Sequence, residues 1–264
     1  DLILLEGNQL VEQGNLEFFE SRYAQAWESY SEALELYGRC GYARGRAVVL
    51  SNLGNISLDR GDQDQAIAFY REAIEMYEAL RDVRGKAMAL ANIGNVHREQ
   101  GKLDLAIEEL RSAVDIFRDI GDRASEGINL GNLGIAYSDL GHAEAAIESM
   151  NRALELHRAV GNLRCEAMTL GNLGNALSDQ ERFEEAVAHQ RKALEIHRKV
   201  GNRRSEGAAL GNLGVALWDL GRADEAREYL QSSIALGDEL GSVISGVFRG
   251  ALAQLMAEQG RVDE

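Results

Sequence analysis

The sequence predicts an all-α chain, folded as a right-handed α-solenoid of antiparallel helix pairs. Three observations carry that reading. A block Asn-Leu-Gly, once Asn-Ile-Gly, recurs every forty residues, with its asparagine at Asn52, Asn92, Asn132, Asn172 and Asn212. Apolar residues within a repeat fall at helical offsets, as at Leu130, Leu133, Gly134 and Tyr137, and so form one stripe. The 264 residues include 28 glycines and no proline, a composition that punctuates helices without breaking their interiors.

Each repeat divides into a helix A and a helix B. Helix A carries the Asn-Leu-Gly block, and a glycine turn follows it at Gly61, Gly101, Gly141 and Gly221. Helix B then shows its own stripe, for example Ala146, Met150, Ala153 and Leu156. It stops at Gly121, Gly161, Gly201 and Gly241, where a residue without a Cβ can adopt the left-handed conformation that ends a helix. Asp122, Asn162, Asn202 and Ser242 stand next in line as N-caps of the following helix A. Small residues recur where the two helices must approach: Gly54, Gly94, Gly134, Gly174 and Gly214 on helix A, and Ala66, Ala106, Ala146, Ala186 and Ala226 on helix B. Gly14 and Ala26 mark an earlier, degenerate copy.

One solenoid domain over 1–264 is therefore expected, with about six helix pairs near 1–40, 41–80, 81–120, 121–160, 161–200 and 201–240. A final helix over 241–264 reads as a seventh repeat cut in its turn. Its Gly260-Arg261-Val262-Asp263-Glu264 aligns with Gly221-Arg222-Ala223-Asp224-Glu225.

Gly134, Ala146 and Ala153 hold the eighth, twentieth and twenty-seventh positions of a helix pair, and on these residues the sequence resembles the tetratricopeptide repeat. Strings such as Leu53-Gly54-Asn55 and Leu173-Gly174-Asn175 are similar to the repeats of Leu-Gly-Asn spindle-orientation adaptors and to arrays attached to bacterial signalling kinases and ATPases. The usual proline near the end of helix B is replaced here by glycine. The resemblance implies a non-catalytic interaction scaffold whose A helices line a concave surface. Its partner is expected to be a protein or peptide, either from another molecule or from the full-length chain itself. Two alternatives stay open: the regulatory or sensor region of a larger bacterial signalling enzyme, and a structural spacer that self-associates end to end.

A net charge of −15 argues against nucleic acid, because a polyanion repels such a chain. No apolar run is long enough to insert in a membrane, and a cytoplasmic, reducing compartment fits two distant cysteines, Cys40 and Cys165. Neither a zinc site nor any cofactor is expected.

At 100° per residue, Arg164, Met168, Asn172, Asn175 and Asp179 lie nearly opposite the core stripe of Leu170, Leu173 and Gly174. Three rows recur on that face. Arg44, Arg84, Arg164 and Arg204 stand near the start of helix A. The five asparagines lie in the middle, reinforced by Asn55, Asn95 and Asn175. Asp59, Glu99, Asp139, Asp179 and Asp219 close the helix. This charge order opposes the helix dipole, so something must offset it. One reading is a peptide groove with an amide floor between basic and acidic rims. The other is pairing of arginine with carboxylate, and of asparagine with asparagine, between neighbouring repeats. Five rungs at about 10 Å span roughly 40 Å, the length of about 12 extended residues.

Catalytic machinery is not expected. Gly131-Asn132-Leu133-Gly134 lies within a helix pattern and lacks a Gly-Lys-Ser/Thr ending, and the carboxylates are dispersed by the repeat. His157 and His197 take the helix B place of Tyr37, Tyr77 and Phe117, and His97 replaces Tyr137, so all three are expected to pack as rings. His142 and His189 are expected at the surface. Trp218 is either a packing residue or a ligand anchor.

Overall fold

A computed structural model describes residues 2–258 and Gly260, and among these it contains thirteen α-helices and no strand. The tail of the truncated-repeat alignment, Arg261 to Glu264, lies outside the described residues. The chain divides into two compact units, 1–122 and 123–264.

The first unit holds α1 (Leu2–Phe19), α2 (Tyr23–Cys40), α3 (Ala43–Asp59), α4 (Gln63–Ala79), α5 (Val83–Glu99) and α6 (Leu103–Asp119). The second holds α7 (Arg123–Asp139), α8 (Ala143–Ala159), α9 (Leu163–Ser178), α10 (Phe183–Lys199), α11 (Arg203–Asp219), α12 (Ala223–Glu239) and α13 (Ile244–Glu258). Within each unit, sequential helices pack side by side, so each is a stack of antiparallel hairpins.

A single turn shows how the sequence stops one helix and starts the next. Gly161 sits at φ 69°, and its N–H donates to the Arg158 carbonyl at 3.2 Å. The Asn162 N–H reaches back to the His157 carbonyl at 2.9 Å, completing the helix-terminating motif. The Asn162 side chain then accepts from the Cys165 N–H at 3.1 Å and caps α9. Asn202 repeats this for α11, accepting from Ser205 N–H at 3.2 Å. Three turns lack glycine, and there Ser21, Arg81 and Glu181 adopt positive φ at 59°, 55° and 57°.

Helix A meets helix B through the small residues. Ala66, Ala106, Ala146, Ala186 and Ala226 are wholly buried. A Cβ on Gly134 would lie 2.6 Å from Met150 Cγ and 3.1 Å from the Ala146 carbonyl oxygen, so nothing larger than glycine fits there. Around these contacts lie Leu170, Leu173, Leu177, Leu210 and Leu213, each nearly inaccessible. Burying a leucine fully stabilises by about 1.5–3 kcal/mol. The helix faces left over, on α3, α5, α7, α9 and α11, carry the repeated polar rows.

Candidate functional site

Pockets open between successive A helices within each unit, and all five asparagines of the central row line them. In the first unit a cavity of 260 Å³ lies between α3 and α5, with Asn52, Asn92, Val48 and Met88 on its walls, Tyr77 of α4 among them, and Arg44 and Arg84 also lining it. In the second unit Asn132 and Asn172 border a cavity of 80 Å³, and Asn172 and Asn212 one of 150 Å³. Asn55 also lines the first cavity.

The two asparagine rows behave differently. Asn55 Oδ1 accepts from Tyr70 Oη at 2.6 Å, and Asn175 Oδ1 accepts from Gln190 Nε2 at 2.7 Å. This row joins helix A to helix B inside a repeat. Asn95 belongs to it by position, but α6 presents Leu110 where a donor stands in the other two repeats. In the central row, Asn52 Nδ2 reaches Asn15 Oδ1 at 3.5 Å, a marginal bond. Asn92, Asn132, Asn172 and Asn212 are half-buried, and their side chains make no hydrogen bond among the described residues. A continuous asparagine ladder between neighbouring helices is therefore absent among them.

The arginines separate by unit. Arg44 Nη2 pairs with Asp82 Oδ2 at 3.1 Å, and Arg84 Nε pairs with Asp122 Oδ2 at 3.0 Å. Each partner stands at the start of the next helix A, which explains the inverted charge order: the base answers an acid one repeat on. Asp82 uses its other oxygen to cap α5, accepting from Gly85 N–H at 2.9 Å. In the second unit the corresponding residues are Asn162, Asn202 and Ser242, which bear no charge. The first two cap their helices, whereas α13 begins only at Ile244, so Ser242 is not the N-cap expected from the sequence. Arg164 and Arg204 accordingly remain exposed and form no ion pair among the described residues.

The acidic row stays apart from these pockets. Asp139 and Asp219 end their helices and Asp179 follows α9, all exposed. Partial desolvation raises the Asp219 carboxyl above its usual range. A helix of this length separates its ends by about 25 Å, so acids and arginines of one helix cannot flank the same pocket.

His97, His157 and His197 are buried rings, held below the usual imidazole range chiefly by desolvation. His142 is exposed and stacks on Tyr137, with ring centroids 6.3 Å apart. His189 departs from expectation. It is half-buried on α10 with a shielded Nδ1, and desolvation followed by Lys192 lowers its pKa. Trp218 packs against the core of the second unit and donates from Nε1 to Glu258 Oε2 at 3.0 Å, which makes it a packing residue.

Sequence reasoning missed one row. Val48, Met88, Ile128 and Met168 follow the forty-residue spacing and are 40–52% exposed on the pocket face. The signal was the period itself: apolar side chains one turn before each central asparagine. The helix B residues Tyr77, His157 and His197, read only as packing rings, also reach these pockets.

The tetratricopeptide repeat family model matches residues 9–79, 86–159 and 165–239. The chain belongs to the tetratricopeptide repeat family. Among curated proteins none matches its sequence significantly. It is similar in structure to BtubC from P. vanneervenii, with a TM-score of 0.74 and 19% identity over 83% of this chain and 92% of that one. It is also similar to a Signal Transduction ATPase with Numerous Domains that has a tetratricopeptide repeat sensor, from Pyrococcus horikoshii. That match has a TM-score of 0.80 and 18% identity over 95% of this chain, but spans only 38% of the other. A Rap protein complexed with Competence and Sporulation Factor matches at a TM-score of 0.69 and 14% identity, over 98% of this chain and 77% of that one. At such identities the likeness is one of fold. The fold suits a protein-interaction or regulatory role, and no catalytic family is indicated. No helix among the described residues is long and apolar enough to cross a membrane.

Proposed function

We propose that the chain is a non-catalytic interaction module that holds an extended peptide segment of a protein partner on the pocket faces of its A helices. The carrying observation is the central asparagine row: Asn92, Asn132, Asn172 and Asn212 line pockets with their amides unengaged. An asparagine costs helix propensity at a mid-helix position, and its amide offers a donor and an acceptor matched to a peptide unit. In the second unit the unpaired Arg164 and Arg204 add a preference for carboxylates on the bound segment. The Rap protein complexed with Competence and Sporulation Factor is a precedent for ligand capture by this fold.

An array of immobilised 12-residue peptides tests the reading. The protein is expected to retain a subset of peptides, and the triple variant Asn132→Ala, Asn172→Ala, Asn212→Ala is expected to lose that retention at least tenfold with its helical melt unchanged. Equal retention by the variant overturns the role of the asparagines.

A second reading, a sensor region within a larger signalling protein, is favoured by the match over 95% of this chain to part of an ATPase with a tetratricopeptide repeat sensor. The coding sequence on either side of these residues decides it. A flanking kinase or ATPase domain supports the reading, and an initiation codon and stop codon at the two ends remove it.

A further inference from the structure

Gly131, Gly171 and Gly211 occupy one position on three successive A helices, α7, α9 and α11. Each lies inside its helix, where glycine weakens the element. Packing within the protein requires only the last of them. A Cβ on Gly211 would lie 2.2 Å from Phe248 Cε2 and Cζ, so the phenyl ring of Phe248 rests on the Gly211 backbone. Phe248 comes from α13, is 5% exposed and belongs to the buried core of the second unit. The chain thus places its own aromatic ring over this glycine.

At Gly171 the equivalent space is the cavity of 150 Å³, bordered by Met168, Asn172, Gln190, His197, Ala208 and Asn212. A cavity of about 150 Å³ in an engineered protein core takes a benzene molecule. A Cβ on Gly171 would meet only Gln190 Oε1, at 3.8 Å, so no internal contact demands glycine there. Gln190 is 1% exposed. Its Nε2 donates to the Gly171 carbonyl at 2.9 Å and to Asn175 Oδ1 at 2.7 Å, which leaves Oε1 as a buried acceptor with no partner. Buried acceptors are rarely left unmade, because the desolvation cost is not recovered. His197, 4% exposed, lines the same cavity and also has an unpartnered Nδ1.

We infer that the socket over Gly171 takes an aromatic side chain carrying a hydrogen-bond donor, tyrosine or tryptophan, from the bound segment, with the ring on the Gly171 backbone and the donor on Gln190 Oε1. This deepens the peptide-binding reading and rests on it. Phenylalanine fills the space but leaves the acceptor unmade, and a lysine ammonium would lose its hydration against Met168 and Ala208.

The side-chain analogue p-cresol tests the socket without a peptide, by titration into ¹⁵N-labelled protein with toluene as the comparison. Saturable amide shifts at Gly171, Asn172 and Asn212 are expected, at least fivefold tighter for p-cresol than for toluene. Gly171→Ala has room for its methyl group and is expected to weaken p-cresol at least fivefold while the fold stays intact. Gln190→Met, with Met150 standing at the same position two helices earlier, is expected to erase the preference over toluene. Absent shifts at Gly171, shifts unchanged in Gly171→Ala, or a preference unchanged in Gln190→Met each overturn the inference. The peptide array separates the two claims: retention indifferent to tyrosine and tryptophan removes the socket and leaves the groove. Specific p-cresol binding with no peptide retained removes the groove and leaves the socket.

Discussion

Asp82 serves two repeats at once: Oδ2 receives the Arg44 guanidinium of the repeat before it at 3.1 Å, and Oδ1 caps its own helix through Gly85 N–H at 2.9 Å. The two roles separate by substitution. Asparagine caps as well as aspartate, so Asp82→Asn loses only an ion pair whose arginine is 68% exposed, worth about 0–1 kcal/mol. Asp82→Ala loses the cap as well, at about 1 kcal/mol more. Urea denaturation of both variants checks this, with Asn expected close to the parent and Ala clearly below it.

Arg81 occupies the left-handed conformation that glycine holds in most of the turns, at φ 55° against 72° for Gly101. A Cβ in that region costs about 1–2 kcal/mol, partly offset because glycine loses more chain entropy on folding. Arg81→Gly is therefore expected to raise the melting temperature, and Gly101→Arg to lower it. Differential scanning calorimetry reads both.

Much of this was legible in the sequence and some was not. The forty-residue period placed the helix pairs and most turn glycines, because those positions depend on local backbone conformation and repeat with it. The caps expected at Asn162 and Asn202 are formed, whereas the helix expected after Ser242 begins only at Ile244 and three turns do without glycine. The period also put the central asparagines on one face, where they line pockets, together with an acidic row that lies away from them. It did not divide the two asparagine rows, since Asn52 and Asn55 look alike until Tyr70 is seen to reach only the second. Nor did it divide the helical glycines. Gly134 is required by the Ala146 carbonyl, whereas Gly171 has open space beside it, and a single letter encodes both. The rows of arginine read alike in sequence as well, yet whether they are neutralised depends on the residue thirty-eight positions onward, aspartate in one unit and asparagine or serine in the other.

Three buried histidines make stability depend on pH. Desolvation holds His97, His157 and His197 below the usual value of 6.5 in the folded chain. The unfolded chain therefore binds more protons as pH falls through 6.5, and stability is full above that value and is lost below it. The urea midpoint is expected to be lower at about pH 5.5 than at about pH 7.5. His157→Phe, with Phe117 at the same position one repeat earlier, is expected to shrink that difference. A midpoint independent of pH overturns this account.

Asn55 and Asn52 distinguish the residues that build the stack from those available to a ligand. Asn55 Oδ1 is the acceptor for the hydroxyl of Tyr70, a fully buried residue whose phenol is raised well above its usual pKa, chiefly by desolvation. Asn55→Ala leaves that hydroxyl without its partner and is expected to cost about 1–3 kcal/mol. Asn52→Ala removes a 3.5 Å bond to Asn15 and a polar contact with the Tyr30 hydroxyl, which keeps Asn15 as its acceptor, and gains helix propensity, so it should cost less stability than Asn55→Ala. The peptide array should show the opposite pattern, with retention weakened by Asn52→Ala and kept by Asn55→Ala below its melting temperature. Equal losses of stability at both positions would mean that the central row belongs to the stack, and the binding role would then have to rest on the arginines and the apolar row.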